Sequence, residues 1–145
     1  MFERILVLCT GNICRSPMAE ALLLQRMRAA GRSVEVRSAG VGALRNYPAD
    51  EPARALMQAR GLDISPHRAQ QATPELARWA DLILVMESQQ RDAMFDIDPT
   101  ARGKTYLLGH WIGQEVPDPY KQADEVYTRA LSLIEEGLDS WMKKL

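Results

Sequence analysis

The chain has 145 residues, 46% hydrophobic and 26% charged, with 9 Gly and 8 Pro. That composition excludes disordered and fibrous classes, and the length predicts one domain. Its 18 basic and 19 acidic side chains leave a formal charge of −1 and an isoelectric point near 6.1, without the basic excess of a protein that wraps nucleic acid. Both cysteines, Cys9 and Cys14, lie in one short stretch, which excludes a secreted disulfide scaffold and a four-cysteine zinc site.

The opening apolar run, Ile5 to Cys9, reads as a strand buried on both faces. It is far shorter than the ~20 residues of a membrane span, and Met1-Phe2-Glu3-Arg4 is not an export leader. A cytoplasmic location without membrane insertion is expected. After a loop, Ser16 as N-cap, Pro17 at the first helical position and Glu20 near the positive helix end predict a helix that stops at Gly31. Val34-Glu35-Val36 is a second short strand. Asp50 and Pro52 open another helix, stopped by Gly61, and a helical turn follows Thr73-Pro74-Glu75. Leu82 to Met86 is the clearest buried strand. Ser88 caps a helix reaching about Phe95, and Lys104 to Leu108 forms a weaker strand. A last helix starts near Asp124, with Val126, Ala130, Leu133, Ile134 and Trp141 inward. This alternation predicts a small doubly wound α/β sheet of about four parallel strands with helices on both faces.

In such sheets ligands bind beyond the carboxyl ends of the strands, against a helix N-terminus. Here that place is Cys9-Thr10-Gly11-Asn12-Ile13-Cys14-Arg15-Ser16. It contains neither Gly-x-Gly-x-x-Gly nor Gly-Lys-Ser/Thr, so nucleotide binding has no motif support. Gly11 and Asn12 tolerate positive φ, which lets the loop curl and turn backbone N–H groups inward as a nest for a tetrahedral oxyanion. Arg15 adds a planar fork of donors. The same field favours the Cys9 thiolate, well below the ~8.5 of a free thiol, and Ser16 can donate toward it.

The run Cys9 to Ser16, followed by Pro17-Met18-Ala19-Glu20, resembles the low-molecular-weight protein tyrosine phosphatases, and the likeness covers almost the whole chain. Ser38-Ala39-Gly40 resembles the family's segment after the second strand, and Asp118-Pro119-Tyr120 its general-acid loop. The resemblance implies that residues 1–145 form a single phosphatase domain with the phosphate loop after its first strand. It implies Cys9 as nucleophile, Arg15 and loop residues Thr10, Gly11, Asn12, Ile13, Cys14 and Ser16 around the phosphate, and Asp118 as acid and then base. Asn12, Ser16, Ser38 and His67 match a supporting hydrogen-bond network. Ile13, Leu44 and Tyr120 match pocket walls. The cysteine matching Cys14 forms a reversible disulfide with the nucleophile in the family, so Cys14 is a candidate redox partner. The chemistry requires no metal or other cofactor, and phosphate-like oxyanions are expected to inhibit it. His110 has no assigned role.

Three rivals are weighed against phosphotyrosine hydrolysis. Thioredoxin-coupled arsenate reductases of this fold need further cysteines downstream, and none follows Cys14. Protein-arginine phosphatases carry Thr where this loop has Ile13, whose apolar branched side chain suits an aromatic ring better than a guanidinium. A non-catalytic phosphate-binding module does not explain Cys9, Arg15 and Asp118 together. Leu44, Gly109-His110-Trp111 and Val116 to Lys121 resemble the Gram-negative bacterial branch, whose members dephosphorylate a membrane tyrosine autokinase of capsule or exopolysaccharide export. That kinase is the expected partner.

Overall fold

The computed structural model describes residues 2–145. Four strands, β1 (Arg4–Cys9), β2 (Glu35–Gly40), β3 (Leu82–Val85) and β4 (Thr105–Leu107), form one parallel sheet in the order β2-β1-β3-β4. Five helices accompany them: α1 (Arg15–Ala29), α2 (Glu51–Gln58), α3 (Pro74–Trp79), α4 (Ser88–Ile97) and α5 (Asp124–Met142). This is the doubly wound α/β architecture with helices on both faces.

Strand alternation assigns the two faces. Ile5, Val7 and Cys9 of β1 and Leu82 and Leu84 of β3 point into the larger core, with Leu22, Leu23 and Met27 of α1, Met57 of α2 and Ile134 and Leu138 of α5. Leu6, Leu8, Ile83 and Val85 face the smaller core, with Ala77 of α3 and Met94 of α4. The continuous apolar runs of β1 and β3 are what a parallel strand covered on both sides requires. Because β1 and β3 are central, the segments leaving their carboxyl ends meet at the middle of one sheet edge.

Several boundaries differ from the sequence expectation. The second strand runs from Glu35 to Gly40, beyond Val34-Glu35-Val36, because Ser38, Ala39 and Gly40 pair with Val7, Leu8 and Cys9. The first helix begins at Arg15 with Cys14 as cap residue, so Ser16 lies inside it and is not its N-cap. Glu20 is consequently outside the first turn, which holds no acid. The cap of α4 is Glu87 rather than Ser88: Glu87 and Gln90 form a reciprocal capping box, and the helix continues to Ile97. In α5 the most buried residue of the first turn is Tyr127, while Val126 is only half-buried.

One close approach fixes α5 on the sheet edge. A Cβ built at Gly137 lies 2.5 Å from Leu108 Cδ2 and 2.8 Å from its carbonyl oxygen. Gly137→Ala is therefore expected to lose about 1–3 kcal/mol, despite alanine's better helix propensity. Urea unfolding of the variant checks this; an unchanged midpoint would show that α5 shifts freely.

Candidate active site

The loop from Cys9 to Arg15 joins β1 to α1 and curls back on the cysteine. Cys9 Sγ lies 2.9 Å from Ser16 Oγ and accepts the Asn12 backbone N–H at 3.3 Å. Asn12 is fully buried and adopts φ 60°, the left-handed conformation that Asn tolerates better than most residues. Its side chain fixes the direction of two hydrogen-bond chains. The Asn12 amide donates to Ser16 Oγ at 2.7 Å and to Ser38 Oγ at 3.0 Å, while its Oδ1 accepts the Gln70 backbone N–H at 2.9 Å. With its oxygen occupied by that amide, the Ser16 hydroxyl donates to Cys9. Ser38 likewise donates onward to Glu20 Oε1 at 2.6 Å, which is why Glu20 faces the loop and not the helix end. Burial raises the Glu20 carboxyl above its ordinary range, and the Ser38 bond partly offsets this. His67 Nε2 sits 2.7 Å from the Asn12 carbonyl; since a carbonyl only accepts, that nitrogen carries the proton.

Gly40 lets the loop lie this close to the sheet. A Cβ there would overlap the Thr10 carbonyl and meet Asn12 at 3.1 Å.

Arg15 is 1% exposed. Its Nη1 donates to Glu87 Oε1 at 2.5 Å and to the Val116 carbonyl at 2.8 Å. Its Nη2 lies 3.9 Å from Asp118 Oδ2, and its buried Nε has no hydrogen-bond partner. A buried guanidinium donor left unpaired is costly, and an anion in the adjacent cavity would satisfy it. Glu87 belongs to the cap of α4. Gln90 from the same cap accepts the Met86 and Glu87 N–H groups and donates to Thr10 Oγ1 at 3.1 Å. The segment bearing Asp118 is anchored by Val116 N–H to the Met86 carbonyl at 3.0 Å and by Ser88 to Glu115 Oε2. Asp118 itself is half-exposed, with Oδ1 accepting the Tyr120 N–H.

Cys9, Thr10, Gly11, Ile13, Cys14, Arg15, Gly42, Leu44, Asp118 and Tyr120 line one cavity of about 170 Å³. Leu44, Ile13 and Tyr120 supply its apolar walls. Asn12, Ser16, Ser38 and His67 stand outside it, behind the loop. His110 is remote from it, packed among Tyr106, Trp111 and Trp141. No group of three or more metal-ligating side chains occurs among the described residues.

Sequence reasoning missed three contributors. Glu87 had a usable signal, an acid directly beyond the carboxyl end of a central strand. Asp50 and Tyr127 had none, because they meet only in the tertiary fold. Tyr127 Oη lies 2.5 Å from Asp50 Oδ2 and 3.0 Å from Cys14 Sγ, and the Asp50 N–H donates to the Ile13 carbonyl at 2.8 Å. The phenol has Asp50 Oδ2 and Cys14 Sγ as its acceptors, and the Cys14 thiol has Asp50 Oδ2 as its own at 3.8 Å. Burial is the main reason the Cys14 thiol rises from 9.0 to about 12. Burial and the Asp50 hydrogen bond also raise the Tyr127 phenol.

Comparison with known proteins is consistent in sequence and shape. The family model for low molecular weight phosphotyrosine protein phosphatase matches residues 4–145. The low molecular weight protein-tyrosine-phosphatase Ptp of Acinetobacter johnsonii is 42% identical, over 99% of this chain and 99% of its own. The tyrosine phosphatase Wzb of Escherichia coli K30, solved with sulphate, superposes with TM-score 0.91 at 46% identity, covering 99% of both chains. Vibrio vulnificus Wzb in complex with benzylphosphonate gives TM-score 0.94 at 43% identity, covering all of both chains.

Tyr127→Phe is expected to cost about 1–3 kcal/mol, since it strips Asp50 and Cys14 of a shared partner; chemical denaturation measures it. A pH dependence follows from the same cluster. Both groups titrate higher in the folded than in the unfolded chain, so the unfolded state loses its protons first. Their contribution to stability is complete below pH 9.0 and is lost as pH rises toward about 12. Denaturation midpoints should fall over this range, and less steeply in Cys14→Ala.

Proposed function

The chain belongs to the low molecular weight phosphotyrosine protein phosphatase family, and on that premise we propose that it is a cysteine-dependent protein-tyrosine phosphatase, with residues 1–145 acting as a single phosphatase domain. The observation that carries this reading is the convergence on one cavity of the Cys9 thiol, the Arg15 guanidinium with its unpaired Nε, and the Asp118 carboxyl. The apolar walls Ile13, Leu44 and Tyr120 suit a phenyl ring between the phosphate site and solvent.

Two in-line displacements account for these groups. In the first, the Cys9 thiolate attacks phosphorus, forming an S–P bond as the P–O bond to the tyrosyl oxygen breaks. Asp118 gives its proton to the leaving oxygen. In the second, water attacks the phosphocysteine, Asp118 takes the proton from that water, and inorganic phosphate leaves with the thiolate regenerated. The Asn12 N–H and the Ser16 hydroxyl stabilise the thiolate before attack and after departure. Arg15 Nε, Nη2 and the loop N–H groups hold the three equatorial oxygens. Glu87 and the Val116 carbonyl keep Nη1 in place, so the fork is oriented before substrate arrives.

Phosphate-like oxyanions compete for the same nest. The partner we propose is a membrane tyrosine autokinase of polysaccharide export, met in the cytoplasm; no helix of this chain is long and apolar enough to cross a membrane among the described residues. Cys14 is the partner for reversible oxidation of Cys9. Burial, which raises its titration to about 12, keeps it a thiol at neutral pH.

Cys9→Ser is expected to abolish hydrolysis of p-nitrophenyl phosphate, whereas chelators leave it intact; surviving turnover in the variant would exclude Cys9 as nucleophile. Asp118→Asn should lower kcat by about 10²–10⁴-fold on phosphotyrosine peptides, and less on a substrate whose leaving group needs no proton. Turnover of phosphotyrosine, phosphoserine and phosphoarginine peptides, measured side by side, checks the substrate class, with phosphotyrosine expected to dominate.

A further inference from the structure

Two loops wall the mouth of the cavity, one through Leu44 and the other through Tyr120. Each wall residue is followed at once by a cation, Arg45 and Lys121, and both cations are exposed. No carboxylate approaches within 4.0 Å of either, although the chain forms eight such ion pairs elsewhere among the described residues.

Lys121 is held against the wall residue Tyr120. Its backbone takes φ 60°, a left-handed conformation that disfavours an L side chain, and the turn closes with the Gln122 N–H on the Pro119 carbonyl at 3.0 Å. The ammonium consequently lies 5.4 Å from the centroid of the Tyr120 ring, the ring that lines the cavity. A cation over an aromatic face is restrained there without being neutralised. Its charge stays available to a ligand.

We propose that Lys121, with Arg45 across the mouth, selects phosphotyrosines whose neighbouring residues are themselves anionic: aspartate, glutamate or a second phosphotyrosine. This deepens the phosphatase reading and rests on it. When the phosphotyrosyl ring enters between Leu44 and Tyr120, the substrate backbone stays at the rim. Its neighbours stand about 3.3–3.6 Å apart along an extended chain, within reach of both side chains. Interactions at such a wet rim are modest individually and act mainly on encounter and binding. Salt weakens them, because screening acts over about 10 Å at 0.1 M.

The test uses the full chain and three phosphotyrosine peptides of equal length, with neutral, glutamate or phosphotyrosine flanks, beside p-nitrophenyl phosphate, which has no flanks. The wild type should favour the anionic peptides by about three- to tenfold in kcat/KM, carried by KM and largely erased at high salt. The preference should vanish in Arg45→Gln/Lys121→Gln and return with Lys121→Arg in the same background, with turnover of p-nitrophenyl phosphate unchanged. Which anionic peptide wins identifies the source of the charge. Equal kcat/KM on neutral and anionic peptides, or a preference that survives the double variant, overturns the proposal. Should Lys121→Gln damage the pocket, seen as lost p-nitrophenyl phosphate turnover, the salt response of the wild type and Arg45→Gln decide alone. Absence of turnover on every substrate by the wild type would instead overturn the phosphatase reading itself.

Discussion

The site depends on one buried amide. Asn12 has its side-chain nitrogen on Ser16 and Ser38, its side-chain oxygen on the Gln70 N–H, its backbone nitrogen on Cys9 and its carbonyl on His67. Five residues from four segments, β1, α1, β2 and the connection between α2 and α3, therefore meet on a single residue held at φ 60°. A buried network of this kind is worth keeping only when every member is satisfied, and here each donor finds an acceptor. The consequence is directional. Because the amide can only donate through its nitrogen, Ser16 is left to donate to the thiol, so a neutral asparagine three residues away sets the polarity around Cys9.

A second constraint concerns charge. Arg15 is buried beneath the cavity, and burying a guanidinium is costly unless it is paired and hydrogen-bonded. Glu87 and the Val116 carbonyl meet that requirement on one nitrogen, while Nε remains without a partner. The pairing is thus partial. It stabilises the cation enough to keep it inside, and leaves a donor that an oxyanion in the cavity can satisfy. The parallel sheet makes this possible by placing β1 and β3 side by side, so that the loop after one strand and the cap of the helix after the other converge without long connections.

The fold and the chemistry-bearing residues were legible to different depths. Continuous apolar runs at Ile5 to Cys9 and Leu82 to Met86 announced central strands, and Gly11 and Asn12 between strand and helix announced a loop that curls back on Cys9. The types and spacing of Ser16 and Glu20 also fit a helix terminus, a local rule. Tertiary partners overrode it: Cys9 and Asn12 take the Ser16 hydroxyl, and Ser38 takes the Glu20 carboxylate. Ser88 gave way to Glu87 for a related reason, since the acid can cap the helix and hold Arg15 at once.

What the sequence determined by itself is everything carried by short spacing: alternation of strand and helix, the nest of residues between Cys9 and Ser16, and the stiff Asp118-Pro119-Tyr120 segment. Those depend on backbone geometry over a few residues, where residue type and separation suffice. What only the tertiary structure decided is pairing across long separations. Asp50 meets Tyr127 and Cys14, and Glu87 meets Arg15. A hydrogen bond depends on tenths of an ångström and on direction, and no pattern along the chain encodes where residues tens of positions apart come to rest.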